Sequence, residues 1–168
     1  LIILDSCRYD CFEKYVWNYL DGRLFKVWSP AGYTVKWLER TWFKTYRDVI
    51  YISAMPNVRM IKGFERKFLK IVDAWKKGWD EKTHTIPPWN MNKIVMQEMT
   101  VAKIRKKIAK YPAKIRFVLH YVQPHAPYIA GPAVLHDIYS SYLSYIKERR
   151  LNITPDHAML LHLFNVLK

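Results

Sequence analysis

The stretch that decides the fold is Lys114-Ile115-Arg116-Phe117-Val118-Leu119-His120-Tyr121-Val122-Gln123-Pro124-His125-Ala126-Pro127-Tyr128. Six of the eight residues from Ile115 to Val122 are apolar or aromatic, some of them β-branched. That composition suits a strand buried on both faces of a parallel sheet. Pro124 and Pro127 can neither continue a hydrogen-bonded ladder nor enter a helix interior, so they set a stiff loop at the strand's carboxyl end. In open α/β sheets ligands bind at that end. His120 on the strand and His125 on the loop are therefore candidate site residues. Either histidine alone reads as an ordinary one beside a Pro-rich turn; together on a rigid scaffold they read as a site.

Working outward, short apolar runs alternate with helical patterns. Leu1 to Leu4 is an apolar run that ends in Asp5-Ser6, which puts the Asp5 carboxylate at a sheet's carboxyl edge. There it can bind a metal or cap the next helix. The apolar spacing of Phe12, Tyr15, Val16, Tyr19 and Leu20 predicts a helix closed by Asp21-Gly22. Leu24 to Trp28 reads as a second strand, followed by the turn Ser29-Pro30-Ala31-Gly32. A helix from Val35 to roughly Lys44 comes next, with Thr34 as its candidate N-cap, and its free first-turn amides could cradle an anion. The same position suits a threonine nucleophile, since the amides could hold phosphoryl oxygens while the hydroxyl attacks.

Asp48 to Ser53 reads as a third strand, Phe64 to Trp75 as an amphipathic helix, and Asn90 to Lys110 as a long helix after Pro87-Pro88. Beyond Tyr128 the pattern predicts a Gly131-Pro132 turn, a helix over 134–150 and a last helix after Thr154-Pro155. Strands alternating with helices argue an α/β fold with a mostly parallel sheet sandwiched by helices, one domain over 1–168. The chain opens inside a strand pattern, without Met, and reads as a fragment truncated at both ends.

Composition narrows the partners. Hydrophobic residues make up 51% and aromatics 15%, which is globular and not disordered. No run of about 18 apolar residues is present, so no membrane span is expected. Lys and Arg number 28 against 14 Asp and Glu, a net charge of +14. Such a balance favours anionic partners: phosphate esters, nucleic acid or a membrane surface. The densest basic run, Lys103 to Lys110, alternates with apolar residues at helical spacing and reads as the wet face of a helix, not a nucleic-acid stripe. Cys7 and Cys11, four apart on a helix, make neither a disulfide framework nor a metal quartet. Buried free thiols are the expectation, which points to a reducing compartment, the cytoplasm.

Four segments occur in order: Leu4 to Asp10 (Leu-Asp-Ser-Cys-Arg-Tyr-Asp), Ser29 to Thr34 (Ser-Pro-Ala-Gly-Tyr-Thr), Tyr51 to Pro56 (Tyr-Ile-Ser-Ala-Met-Pro), and His120 to Tyr128 (His-Tyr-Val-Gln-Pro-His-Ala-Pro-Tyr). Together they resemble the sulfatase-like hydrolase branch of the alkaline phosphatase superfamily, over roughly residues 1–130. The resemblance implies that Asp5 ligates a divalent metal (zinc, manganese, magnesium or calcium). It implies that Thr34 is the nucleophile and also touches that metal, and that His120 and His125 contact the phosphate or sulfate group or the leaving oxygen. Arg8 is read as pairing with a carboxylate. The Cys-x-Pro-x-Arg motif of sulfatases is absent, so phosphoryl chemistry is preferred to sulfate.

The family's second metal motif, an apolar strand ending in Ser-Asp-His-Gly-Glu, is also missing. Asp156-His157 imitates it, but Leu160, Leu161 and Phe164 continue with helical spacing. The function expected is therefore hydrolysis or transfer of phosphate esters by a metal-dependent enzyme, with this chain its amino-terminal part. The substrate would be an anionic small molecule or a glycan or lipid phosphate or sulfate ester, with no specific nucleic acid. The alternative is a non-catalytic basic α/β domain that binds an anionic partner.

Overall fold

The computed structural model describes residues 1–125 and Ile129. The chain divides into two compact units, Leu1–Ala126 and Pro127–Lys168, and the architecture below is that of the first. The expected turn at 131–132, the helices over 134–150 and after 155, and the residues Asp156 and His157 lie outside the described residues.

Four strands form one sheet: β1 (Ile2–Leu4), β2 (Tyr46–Ser53), β3 (Phe68–Asp73) and β4 (Arg116–Tyr121). Their order is β1-β4-β2-β3 and every pairing is parallel. The α/β class expected from sequence is the class found. β4, the strand of the deciding stretch, lies inside the sheet with β1 on one side and β2 on the other. Leu4 stands opposite Tyr121, and Ser53 opposite His120. Three strands thus end near one edge.

The helices are α1 (Tyr9–Val16), α2 (Thr34–Thr41), the short α3 (Ala74–Lys77) and α4 (Pro88–Lys107). None of the described helices is long and apolar enough to cross a membrane. Side chains alternate across β2, as a strand's period of two requires. Ile50 and Ile52 face one core, with Val72 of β3 and Met91, Ile94 and Val95 of α4. Val49 and Tyr51 face the other, with Leu38 and Trp42 of α2, Phe64, Phe68 and Val118. The second core is aromatic: Trp42 meets Tyr46, Tyr51 and Phe68 edge-on at centroid distances of 5.2–5.6 Å. Such geometries add to the burial of the rings themselves.

Several boundaries differ from the sequence reading. Phe64 to Trp75 is not a helix; Phe64–Lys67 is a single 3-10 turn, and Phe68–Asp73 is β3. Phe64, Phe68, Ile71 and Trp75 do recur at helical spacing, but Phe68-Leu69-Lys70-Ile71-Val72 is also a short run with β-branched members. Pairing with β2 over Ile50–Ser53 decides between the two. Leu24 to Trp28 forms no strand, because no described strand pairs with it. The first helix stops at Val16, and the long helix stops at Lys107 instead of Lys110. Cys11 is exposed and Cys7 half-buried, so the cysteines are free but not buried. Cys7 precedes α1 and does not share a helix with Cys11.

Candidate functional site

Asp5 follows β1 directly, and its backbone N–H extends the ladder by one step, donating to the Tyr121 carbonyl at 3.2 Å. Ser6 then takes a left-handed conformation (φ 57°) that turns the chain out of the strand. The Asp5 carboxylate is thereby fixed at the carboxyl edge, beside β4. Arg8, three residues on, makes a two-pronged bond to Asp10 at 2.7 and 3.0 Å. It pairs with a carboxylate, as its sequence setting suggested, and this pairing holds the Asp10 carboxyl below its usual range.

Thr34 arrives from the opposite direction. The turn before it is tied by Ser29, whose hydroxyl donates to the Ala31 carbonyl at 2.6 Å, and by the Arg40 guanidinium, which donates to the Pro30 carbonyl. The N-cap position of α2 belongs to Tyr33, and no side chain caps the helix. Thr34 is the first helical residue, and its hydroxyl is turned to Asp5, donating at 3.2 Å to Oδ2 with Oδ1 at 3.5 Å. The N-cap expectation for Thr34 is thus replaced by a side-chain contact across 29 residues of sequence.

His120 is fully buried on β4, its Nδ1 2.9 Å from the Tyr51 hydroxyl on β2. The ring lies 6.0 Å from that of Tyr51 and 6.2 Å from that of Trp37, which is one turn along α2 from Thr34. Burial lowers the imidazole's pKa to about 4, so it is neutral at pH 7. Burial raises the Tyr51 phenol well above its ordinary range, and the nearby Asp5 carboxylate adds to that. A neutral pair follows, with one proton between the phenol oxygen and Nδ1. Among the described residues, buried His120 Nε2 has no hydrogen-bond partner. His125 sits in the loop after β4, its backbone N–H donating to the Val122 carbonyl at 2.9 Å after a cis Gln123–Pro124 bond. The rest of the motif, residues 126–128, lies outside the described residues.

The four candidates therefore fall into three positions. Asp5 and Thr34 touch. His120 joins them indirectly, through Trp37 on α2 and through Tyr51 beside the Asp5 charge. His125 is on the loop at the same end of β4. Sequence reasoning missed Tyr51 and Trp37, because nothing local in an apolar strand marks one tyrosine as the partner of a histidine 69 residues away.

Two oxygen ligands on a divalent ion, each about 2.1–2.4 Å from it, stand about 3.0–3.4 Å apart when they are adjacent. The Thr34 and Asp5 oxygens meet that spacing at 3.2 Å. They fit as one side of a metal site and no more. Among the described residues, no three His, Cys, Asp or Glu side chains gather as metal ligands would. No family model matches the chain, and no curated protein or solved structure matches it.

Proposed function

We propose that the chain is the amino-terminal part of a metal-dependent phosphoesterase or phosphotransferase in which Thr34 is the nucleophile and Asp5 its oxygen partner. The observation that carries this reading is the 3.2 Å contact between Thr34 Oγ1 and Asp5, made at the carboxyl edge of a parallel sheet by residues that arrive on separate elements. A helix-capping threonine would bond its own helix's amides; this one does not. Asp5 holds the hydroxyl in one orientation, and the first-turn amides of α2 are free of intrahelical partners and can receive phosphoryl oxygens. The chemistry a bound divalent cation supplies there is an acidified hydroxyl and neutralised charge on the non-bridging oxygens. Neutral, buried His120 is suited to hold Tyr51 in place through its Nδ1 contact.

Substitution separates this role from a structural one. The 168-residue chain is expected to bind divalent metal weakly, to lose that binding in Asp5→Asn, and to turn over an aryl phosphate little if at all, since two oxygens do not complete a coordination sphere. In a protein carrying the remaining ligands, Thr34→Ser retains some turnover. Thr34→Asn stays folded and loses several orders of magnitude. Near-normal turnover in the folded Asn variant moves the nucleophile elsewhere. Ser29, the nearest serine or threonine in sequence, is already committed to the Ala31 carbonyl.

The second reading, a non-catalytic basic domain, draws support from the incomplete ligand set among the described residues and from the +14 charge. It predicts anion binding that is indifferent to Asp5→Asn.

A further inference from the structure

Between Trp17 and Tyr33 the chain forms no helix and no strand. Seven large apolar side chains in and just before this strap face solvent: Tyr15, Trp17, Tyr19, Leu20, Phe25, Val27 and Trp28. Trp28 is 99% exposed, Val27 and Tyr19 81% and Phe25 70%. Single exposed apolar residues are ordinary, but such a concentration within 14 residues marks a surface that meets something. Among the described residues, the strap is tied to the helices by the Tyr19 and Leu20 amides on the Val16 carbonyl, by the Lys26 ammonium 5.4 Å over the Tyr9 ring of α1, and by Arg40 of α2 on the Pro30 carbonyl.

The chemistry of the strap identifies the partner. Trp, Tyr and Phe with interspersed Lys14, Arg23 and Lys26 is the composition that settles at a bilayer's headgroup boundary, aromatic rings in the interface and ammonium groups among the phosphates. The cations from Tyr15 to Trp28, Arg23 and Lys26, are partly offset by Asp21. Tracking a nucleic-acid backbone takes a denser line of positive charge than that. A second copy of the chain is disfavoured by its own +14 charge, which makes two copies repel. That same charge draws the molecule to an anionic surface, where each nearby Lys or Arg adds to the attraction.

We propose that the Tyr15–Trp28 strap is a membrane-surface anchor that seats the aromatic side chains in the headgroup region of an anionic bilayer. This inference is independent of the catalytic reading, since it uses none of Asp5, Thr34, His120 or His125. The protein lies on the membrane in this arrangement and does not span it.

The test is co-sedimentation of the full 168-residue chain with vesicles of phosphatidylcholine alone and of phosphatidylcholine mixed with phosphatidylserine. Binding is expected to the mixed vesicles, with a blue shift of tryptophan emission, and to be much weaker to phosphatidylcholine alone. The double variant Phe25→Ser/Trp28→Ser removes two exposed side chains and is expected to keep its urea midpoint while its vesicle affinity falls by about tenfold or more. Binding that the double variant retains in full would show that diffuse charge is responsible, and would overturn the proposal. So would failure to bind either vesicle. Concentration-dependent self-association or single-stranded RNA binding that the double variant abolishes, without vesicle binding, would assign the strap to those partners instead.

Discussion

Buried and neutral, His120 sets the pH response at the residue scale. Unfolded, its imidazole takes a proton near pH 6.5; folded, only near about 4. Within that window the unfolded chain binds more protons, so the stability of the folded state falls as the pH falls. The loss attributable to this one group is complete below pH 4, amounts to about 3 kcal/mol, and is absent above pH 6.5. Urea titrations at a series of pH values check it: the slope between pH 6.5 and 4 should be shallower in His120→Leu than in the unsubstituted chain. The Tyr51 bond gives a second check. Tyr51→Phe or His120→Leu alone orphans a buried polar atom at a cost of about 1–3 kcal/mol. The double variant leaves no orphan in that pair and should cost less than the two singles summed. Additivity would mean that the 2.9 Å contact is not a working hydrogen bond. Asp5 and Thr34 were legible as candidates from the strand end and turn that precede them. That Thr34 faces Asp5 and not its own helix was not, because an N-cap and a first helical residue share the same sequence signature.

At the scale of elements, the strand ends were legible and one strand was not. Strands β2 and β4 read correctly because each is an apolar run longer than its flanking turns. β3 was mistaken for a helix because its residues fit both periods, and only its partner decides. The Leu24–Trp28 part of the strap was mistaken for a strand because a short apolar run says nothing about whether a neighbour exists. α4 shows what a helix on the sheet requires. Gly78, which ends α3, lies so close to the α4 side of the core that an added methyl would sit 2.6 Å from Ile86 Cδ1 and 3.0 Å from Ile94 Cδ1. Gly78→Ala should therefore destabilise by about 1–3 kcal/mol through overpacking. Ile86→Val removes the nearest offending atom, so adding it should recover part of that loss. Thermal unfolding of the two single variants and the double reads the coupling, and a harmless Gly78→Ala would show that the loop yields.

For the whole molecule, the order β1-β4-β2-β3 makes β4 indispensable. Among the described residues β1 pairs with β4 and with no other strand, and the residue before it is held there too, the Leu1 nitrogen donating to the Phe117 carbonyl at 2.9 Å. A chain ended after Ala113 should therefore show no cooperative urea transition and no near-ultraviolet circular dichroism, although it retains the residues of α1, α2, β2, β3 and α4. A sharp transition in that truncated chain would mean that β2 and β3 with their helices fold alone. The sheet's class was readable because apolar runs and helical patterns alternate. Its strand order was not, since no local pattern states which of two buried strands sits beside β1.

The central place of β4 also has a meaning in time. A ribosome adds about 5 to 20 residues per second, so the partner of β1 follows it into existence by roughly 6 to 23 seconds. Throughout that interval β1 lacks the strand it pairs with among the described residues. The earliest of the four described strands is thus paired only once the latest has been made.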